Sequence, residues 1–210
     1  MIFKIILCLI FGYLFGCFST AFFVGKMNKV DIRKYGSGNM GTTNALRTLG
    51  AKAGALTLIG DVLKAVIAIL FVRFVFFQGY EYIELLALYT GLGVVIGHNY
   101  PVWLKFKGGK GMAATGGAMA TFDPLIILIG LPLFVLSIAI TRYVSVGSLA
   151  IAVLFPIWIY FRHPGDLHMM FVSLLFMALA FYKHRSNIKR LMDGTENKIG
   201  QRIKIEKNNQ

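Results

Sequence analysis

Six long apolar runs, at about 2–25, 53–76, 82–100, 124–141, 144–161 and 167–182, follow one another along this chain. Polar, glycine-rich or basic connections separate them. The hydrocarbon layer of a bilayer is roughly 30 Å thick and takes about 20 helical residues to cross, so each run predicts a transmembrane helix. The first run is too long for a signal-peptide h-region, has only Lys4 ahead of it and lacks a cleavage site. It reads as the first span.

Charge then changes the count. Of 22 Lys and Arg, six lie in 26–52, three in 101–112, one at Arg142 and eight in 183–210. Basic loops remain on the cytoplasmic side, which places 26–52, 101–112 and the tail from Lys183 together. The weakly charged connections at 77–81, 122–123 and 162–166 face outward. Between the first basic loop and the tail, five spans give odd parity, and the tail falls on the wrong side. Counting Met112 to Thr121 (MAATGGAMAT) as a further crossing removes the conflict. Ten residues make only about 15 Å of helix, so this must be a short helix sheltered by neighbours, as its small residues allow. The expected fold is an all-α integral membrane protein with seven transmembrane helices, the one at 112–121 short. Its N-terminus is outside and its C-terminus cytoplasmic, with Lys4 on the outer side against that orientation. Residues 1–210 form one membrane-embedded domain, with a polar tail over 193–210 that frays from Gly194.

Composition agrees. Apolar residues make up 57% of 210 positions and mean hydropathy is +0.68, too apolar for a soluble domain. The net charge of +13 mostly follows span topology, so no nucleic-acid partner is inferred. Cys8 and Cys17, nine residues apart, fall on opposite faces of one helix and cannot pair. No Cys or His cluster has metal-ligand spacing, so neither a metal nor a cofactor is expected.

Three clusters remain. The first is GSGNMGTTNALRTLG (36–50). Gly36, Gly38 and Gly41 permit positive φ and a nest of N–H groups suited to an anion. Ser37, Asn39, Thr42, Thr43 and Asn44 add neutral polar groups, and Arg47 a fork that fits phosphate. A polar turn capping the next helix is the plainer alternative. The second is GHNYPVWLKFKGGKG (97–111), where His98, Lys105, Lys107, Gly108, Gly109, Lys110 and Gly111 lead into the short helix. A glycine turn at a helix N-terminus can hold an anion, although lysines that merely obey topology would look alike. It is not a Walker A loop, because Leu104 replaces the leading glycine and Gly111 follows Lys110. The third is HRSNIKRLMDGTE (184–196), in which His184, Asn187 and Leu191 share a helical face. His184 could serve as base, as hydrogen-bond donor to phosphate or as a plain polar cap. Ser145, beside Arg142, joins the same side. Asp61 and Lys64, at i and i+3 within a span, suit a structural ion pair. Gly12-x-x-x-Gly16 and Gly93-x-x-x-Gly97 suit tight helix packing.

These three stretches, in this order and spacing, resemble the signature motifs of the bacterial acyl-phosphate-dependent glycerol-3-phosphate acyltransferases, and the similarity covers the whole chain. The resemblance implies a seven-span inner-membrane enzyme with its site facing the cytoplasm. It implies transfer of a fatty acyl group from acyl phosphate to the 1-hydroxyl of sn-glycerol 3-phosphate. The products would be lysophosphatidic acid and inorganic phosphate, the first step of phospholipid synthesis. By matching positions it carries over Ser37, Arg47, the Gly108–Gly111 segment, Ser145, His184 and Asn187. The implied partners are the two small-molecule substrates, the lipid bilayer and, functionally, the enzyme that makes acyl phosphate. Thr42 stands where the family more often has Ala.

No His is followed five residues later by Asp: the residues there are Trp103, His168, Ser173 and Lys189. The H-x-x-x-x-D motif of acyl-CoA and acyl-carrier-protein acyltransferases is therefore absent, which favours another donor. An organic-phosphate transporter is the alternative, but it predicts repeated halves and a midplane site, and the sequence has no such repeat.

Overall fold

The computed structural model describes residues 1–201, and all regular structure among them is helical. Ten α-helices follow in order. They are α1 (Ile2–Cys17), α2 (Thr20–Met27), α3 (Thr42–Leu49), α4 (Ala51–Phe71) and α5 (Ile83–Asn99). Then come α6 (Met112–Phe122), α7 (Ile126–Thr141), α8 (Val144–Arg162), α9 (Leu167–Lys183) and α10 (Arg185–Met192). Each apolar run expected to be helical is helical, and their outward faces carry exposed side chains such as Ile10, Leu63, Leu128, Leu136 and Ile140. Apolar residues so displayed suit a lipid surround rather than water.

The first run is one candidate span, Ile2–Met27, but its helix is interrupted. Phe18 is extended and Ser19 caps α2 by accepting from Phe22 N–H at 3.4 Å. A break in a helix leaves carbonyls without partners. Here Lys64 Nζ donates to Gly16 O (3.2 Å) and Phe18 O (2.8 Å), and Trp103 Nε1 donates to Cys17 O at 2.8 Å. Two polar side chains thus hold the kink that the hydropathy pattern conceals. At the start of α1, Lys4 Nζ lies 3.5 Å from the Tyr80 ring centroid, a cation–π contact that accommodates the charge there.

Helix α5 is the buried centre. It meets α1 through the expected glycine pairs: a Cβ on Gly12 or Gly16 would strike the Thr90 or Val94 carbonyl, and one on Gly93 or Gly97 the Leu9 or Tyr13 carbonyl. Backbones so close gain contact along their whole length. Cys8 and Cys17 are both free and buried.

Helix α6 is the short one, 11 residues or about 16 Å. Gly117 lies against the Val62 carbonyl at the middle of α4. At its C-terminus, Arg73 donates to the Thr121 and Phe122 carbonyls and pairs with Glu84, supplying acceptors with the partners a helix end lacks. So α6, half as long, stands with its middle beside the middle of α4. Beside the first half stands α3, with Leu46 against Gly54. The space left where α6 stops short is the cavity described next.

The tail does not fray where expected. Thr195 N–H donates to Arg190 O (2.8 Å), Ile199 N–H donates to Arg142 O (2.8 Å), and Glu196 is buried. Residues 194–199 fold back over the bundle end. Positions 202–210 of the expected tail lie outside the described residues.

Candidate active site

One cavity of about 510 Å³ occupies that space, and its lining changes character along its length. At one end are Ser37, Asn39, Arg47, Lys110, Ser145, His184, Asn187, Arg190 and Glu196. Away from them, Leu58 and Val62 of α4, Met119 of α6, and Ile127, Leu131 and Phe134 of α7 form an apolar groove. Helix α7 packs mainly on α8 and buries only Ile126 and Gly130.

The first cluster is a folded turn. Gly36 and Gly38 take φ of +63° and +66°, conformations glycine adopts without strain. Gly41 does not: at φ −153° it is extended and begins α3. Two of the N–H groups of the expected nest are spent within the turn: Ser37 N–H donates to Asn44 Oδ1 (3.0 Å) and Gly38 N–H to Tyr35 O (3.0 Å). Asn44, buried, spends its Nδ2 on the Ile32 and Tyr35 carbonyls (both 3.2 Å). It therefore holds the turn rather than offering a free donor. This frees the Ser37 side chain and, one helical turn beyond Thr43, Arg47 to line the cavity. Asn39 and Thr42 line it as well.

The second cluster divides. Lys105 and Phe106 are left-handed (φ 54° and 59°), and Lys105 and Lys107 end up exposed and outside the cavity lining. Gly108 and Gly109 spend their N–H groups on the Asn99 and His98 carbonyls (3.2 and 3.1 Å). A Cβ on Gly109 would collide with the His98 ring and the Met40 carbonyl. Of the 105–111 segment, Lys110 and Gly111 line the cavity, followed by residues of α6. The N–H groups of the first turn of α6 have no intrahelical acceptors and sit at the positive end of the helix dipole. His98 reaches the cavity wall but is already engaged: its Nδ1 is 2.8 Å from Lys64 Nζ and 3.5 Å from Asp61 Oδ1. The expected Asp61–Lys64 pair is present at 3.0 Å; the sequence reading missed that His98 completes it.

The third cluster supplies the polar head. Helix α10 leaves α9 at 57°, which turns His184 and Asn187 inward. Asn187 accepts from Lys110 Nζ and donates to Glu196 Oε1 at 2.6 Å. Ser145 Oγ donates to Glu196 Oε1 (3.0 Å) and Arg190 Nε to Oε2 (2.7 Å). Glu196 was not singled out from sequence, yet it joins three elements. Burial alone would raise its pKa, but the hydrogen bonds from Asn187, Arg190 and Ser145 prevail and hold the carboxyl below its usual range.

Three cations, Arg47, Lys110 and Arg190, thus share a polar chamber with one carboxylate. Burial pushes the Lys110 ammonium down to about 8, with Glu196 pulling upward and Arg190, Arg47 and Lys183 adding to the fall. His184, 2% exposed, is pushed down to about 4 by burial and then by Lys110. Its imidazole is therefore neutral at pH 7. With Nδ1 2.8 Å from the Ala180 carbonyl, the proton resides on Nδ1 and Nε2 is left as an acceptor. The three cations outnumber the Glu196 carboxylate, so the chamber keeps a net positive charge that suits anions, and its continuation into an apolar groove suits an amphipathic one.

The family model for glycerol-3-phosphate acyltransferase matches residues 6–194. The chain belongs to that family. It is 47% identical over 205 residues to the glycerol-3-phosphate acyltransferase of Clostridioides difficile (strain 630), covering 96% of this chain and 98% of that one. With the enzyme of Thermoanaerobacter pseudethanolicus it shares 44% identity over 206 residues, covering 95% and 98%. Its fold superposes with a TM-score of 0.83 on the crystal structure of PlsY (YgiH), an integral membrane glycerol 3-phosphate acyltransferase, in its glycerol 3-phosphate form. Sequence identity there is 33%, with 93% of this chain and 96% of that one covered. The lysophosphatidic acid form of the same protein matches with a TM-score of 0.80. This glycerol-3-phosphate acyltransferase family member is accordingly a multi-pass membrane acyltransferase.

Proposed function

We propose that this protein transfers a fatty acyl group from acyl phosphate to the 1-hydroxyl of sn-glycerol 3-phosphate, forming 1-acyl-sn-glycerol 3-phosphate and inorganic phosphate. The observation that carries the reading is the continuous cavity, cationic at the α3–α10 end and apolar between α4, α6 and α7. Two phosphate groups and one acyl chain match that division. The missing H-x-x-x-x-D motif supports acyl phosphate over a thioester donor.

On this reading the cations hold the phosphates, Arg47 as a bidentate fork and Lys110 as a point charge beside the α6 N-terminus. The glycerol hydroxyl oxygen attacks the acyl carbon, and the carbon–oxygen bond to phosphate breaks. Acyl phosphate is already activated, so catalysis needs positioning and charge stabilisation more than a protein nucleophile. Two acceptors are available for the hydroxyl proton, His184 Nε2 and a phosphate oxygen. With His184 at about 4, its neutral ring orients the hydroxyl, and the departing phosphate is the better final home for the proton. Ser37 donates to a phosphate oxygen. Ser145 and Asn187 keep Glu196 and Lys110 in register.

We assign seven crossings, with α1–α2 and α4 through α9 as the spans, the N-terminus outside, and the site on the cytoplasmic side of the bacterial inner membrane. The basic residues Lys26, Lys29, Arg33 and Lys52 lie between the last turn of α2 and the first turn of α4, the stretch that also carries Ser37 and Arg47, which supports this orientation. The deciding experiment gives purified protein glycerol 3-phosphate with palmitoyl phosphate or palmitoyl-CoA, and follows phosphate and lipid product. Turnover with the phosphate donor alone is expected. Turnover with the thioester alone would overturn the donor assignment.

A further inference from the structure

Two adjacent glycines of α6 have opposite surroundings. Gly117 faces α4, where a Cβ would lie 2.7 Å from the Val62 carbonyl oxygen, so packing excludes any larger residue. Gly116 lines the cavity, and a Cβ built there meets nothing within 4 Å. Its backbone is ordinary helix, with no left-handed φ to demand glycine. Glycine is among the poorest formers of a helix interior, and Gly116 is the fifth residue of an 11-residue helix. Neither contact nor conformation accounts for it, which leaves the room it provides.

That room lies in the apolar groove. Met112 and Met119 flank Gly116 along the helix, and Leu131 and Phe134 of α7 are part of the same lining. Gly116 is five residues past Gly111, roughly 7.5 Å of helical rise beyond the N-terminal end where the polar chamber begins. We propose that Gly116 is a specificity-determining residue, whose missing side chain keeps the groove open to long acyl chains. A side chain there obstructs the groove beyond the reacting carbonyl, so a long chain meets it and a short one does not. This rests on reading the groove as the acyl-chain site.

The test measures kcat/KM for hexanoyl, dodecanoyl and palmitoyl phosphate in the wild-type protein, Gly116→Ala and Gly116→Leu, in detergent or bilayer. The leucine variant should lower the palmitoyl-to-hexanoyl ratio at least about tenfold. The alanine variant should shift it in the same direction by less, while raising the melting temperature because alanine favours the helix. If the leucine variant fails to fold, the alanine variant with its stability readout decides. An unchanged ratio, or an equal loss at every chain length in folded protein, would overturn the assignment. A wild-type protein inactive with every acyl phosphate would overturn the donor reading and this inference with it.

Discussion

Replacing Glu196 with Gln should move the alkaline limit of activity toward lower pH. The carboxylate is linked to Lys110 through the Asn187 side chain, which accepts from Lys110 and donates to Glu196 at 2.6 Å. Glu196 Oε1 and Lys110 Nζ are then roughly 6 Å apart, where unit charges at an effective dielectric of about 20 interact by about 3 kcal/mol, or up to roughly 2 pH units. The cavity opens to water, so about one unit is the working figure after screening.

The sign follows from the charge needed. In the proposed role Lys110, at about 8, would hold phosphate only when protonated, so kcat/KM for glycerol 3-phosphate should fall as pH rises through that value. Glu196 pulls the ammonium upward; removing its charge lowers Lys110 further and brings the fall down toward about pH 7. Phosphate release is followed across roughly pH 6–10; the second phosphate ionisation near 6 falls at the acid end of that range, below both expected midpoints. Lys110→Arg supplies the complement, because a guanidinium stays charged throughout and its residual activity should show no alkaline limb. A limb that remains at pH 8 or moves upward in Glu196→Gln, or one that persists in Lys110→Arg, would refute the assignment of that limb to Lys110.

Other consequences are as direct. Arg47→Ala should lower kcat/KM by at least about 100-fold while leaving the melting temperature close to wild type, since Arg47 makes no structural hydrogen bond among the described residues; Ser37→Ala should act in the same direction. Asn44→Ala removes the side chain that holds three backbone groups, so it should lower stability by about 1–3 kcal/mol and activity with it, measured by thermal unfolding and turnover on one sample. Lys64→Met leaves Asp61 buried without its ammonium and strands the Gly16 and Phe18 carbonyls, a loss of about 3–5 kcal/mol. The double variant Asp61→Asn/Lys64→Met should recover part of it; no recovery would mean that the kink contacts outweigh the ion pair. Gly97→Leu should prevent α1 and α5 from packing at a cost of about 3 kcal/mol or more, seen as poor yield and early unfolding in detergent.

The helices could be read from the chain because hydropathy over about 20 residues is a strong signal and responds little to packing. What packing decides could not be read. The break at Phe18 hides in an apolar run, since its stabilising partners, Lys64 and Trp103, come from 46 and 86 residues away. Three lysines in seven residues look alike in sequence; the left-handed backbone at Lys105 and Phe106 separates Lys110 from the other two. The glycines of 36–41 signalled a tight turn, but the sequence could not show that the Asn44 side chain, from the following helix, is what closes it. Glu196 sits in a polar stretch with no apolar periodicity, so nothing local marked it. A signal did exist in retrospect: an acidic residue in the most basic segment of a chain with nine acidic residues.

The half-length of α6 has one more consequence. A full-length helix there would carry the glycine turn and Lys110 out to the rim of the bundle, and a lipid tail would have to be lifted from the bilayer to reach them. Because α6 is about half as long as α4 and its middle packs on the middle of α4, the chamber at its N-terminus is sunk below the end of α4, nearer the level of an acyl tail. The water-soluble partner makes the descent, and a lipid product would start from the depth to which it belongs.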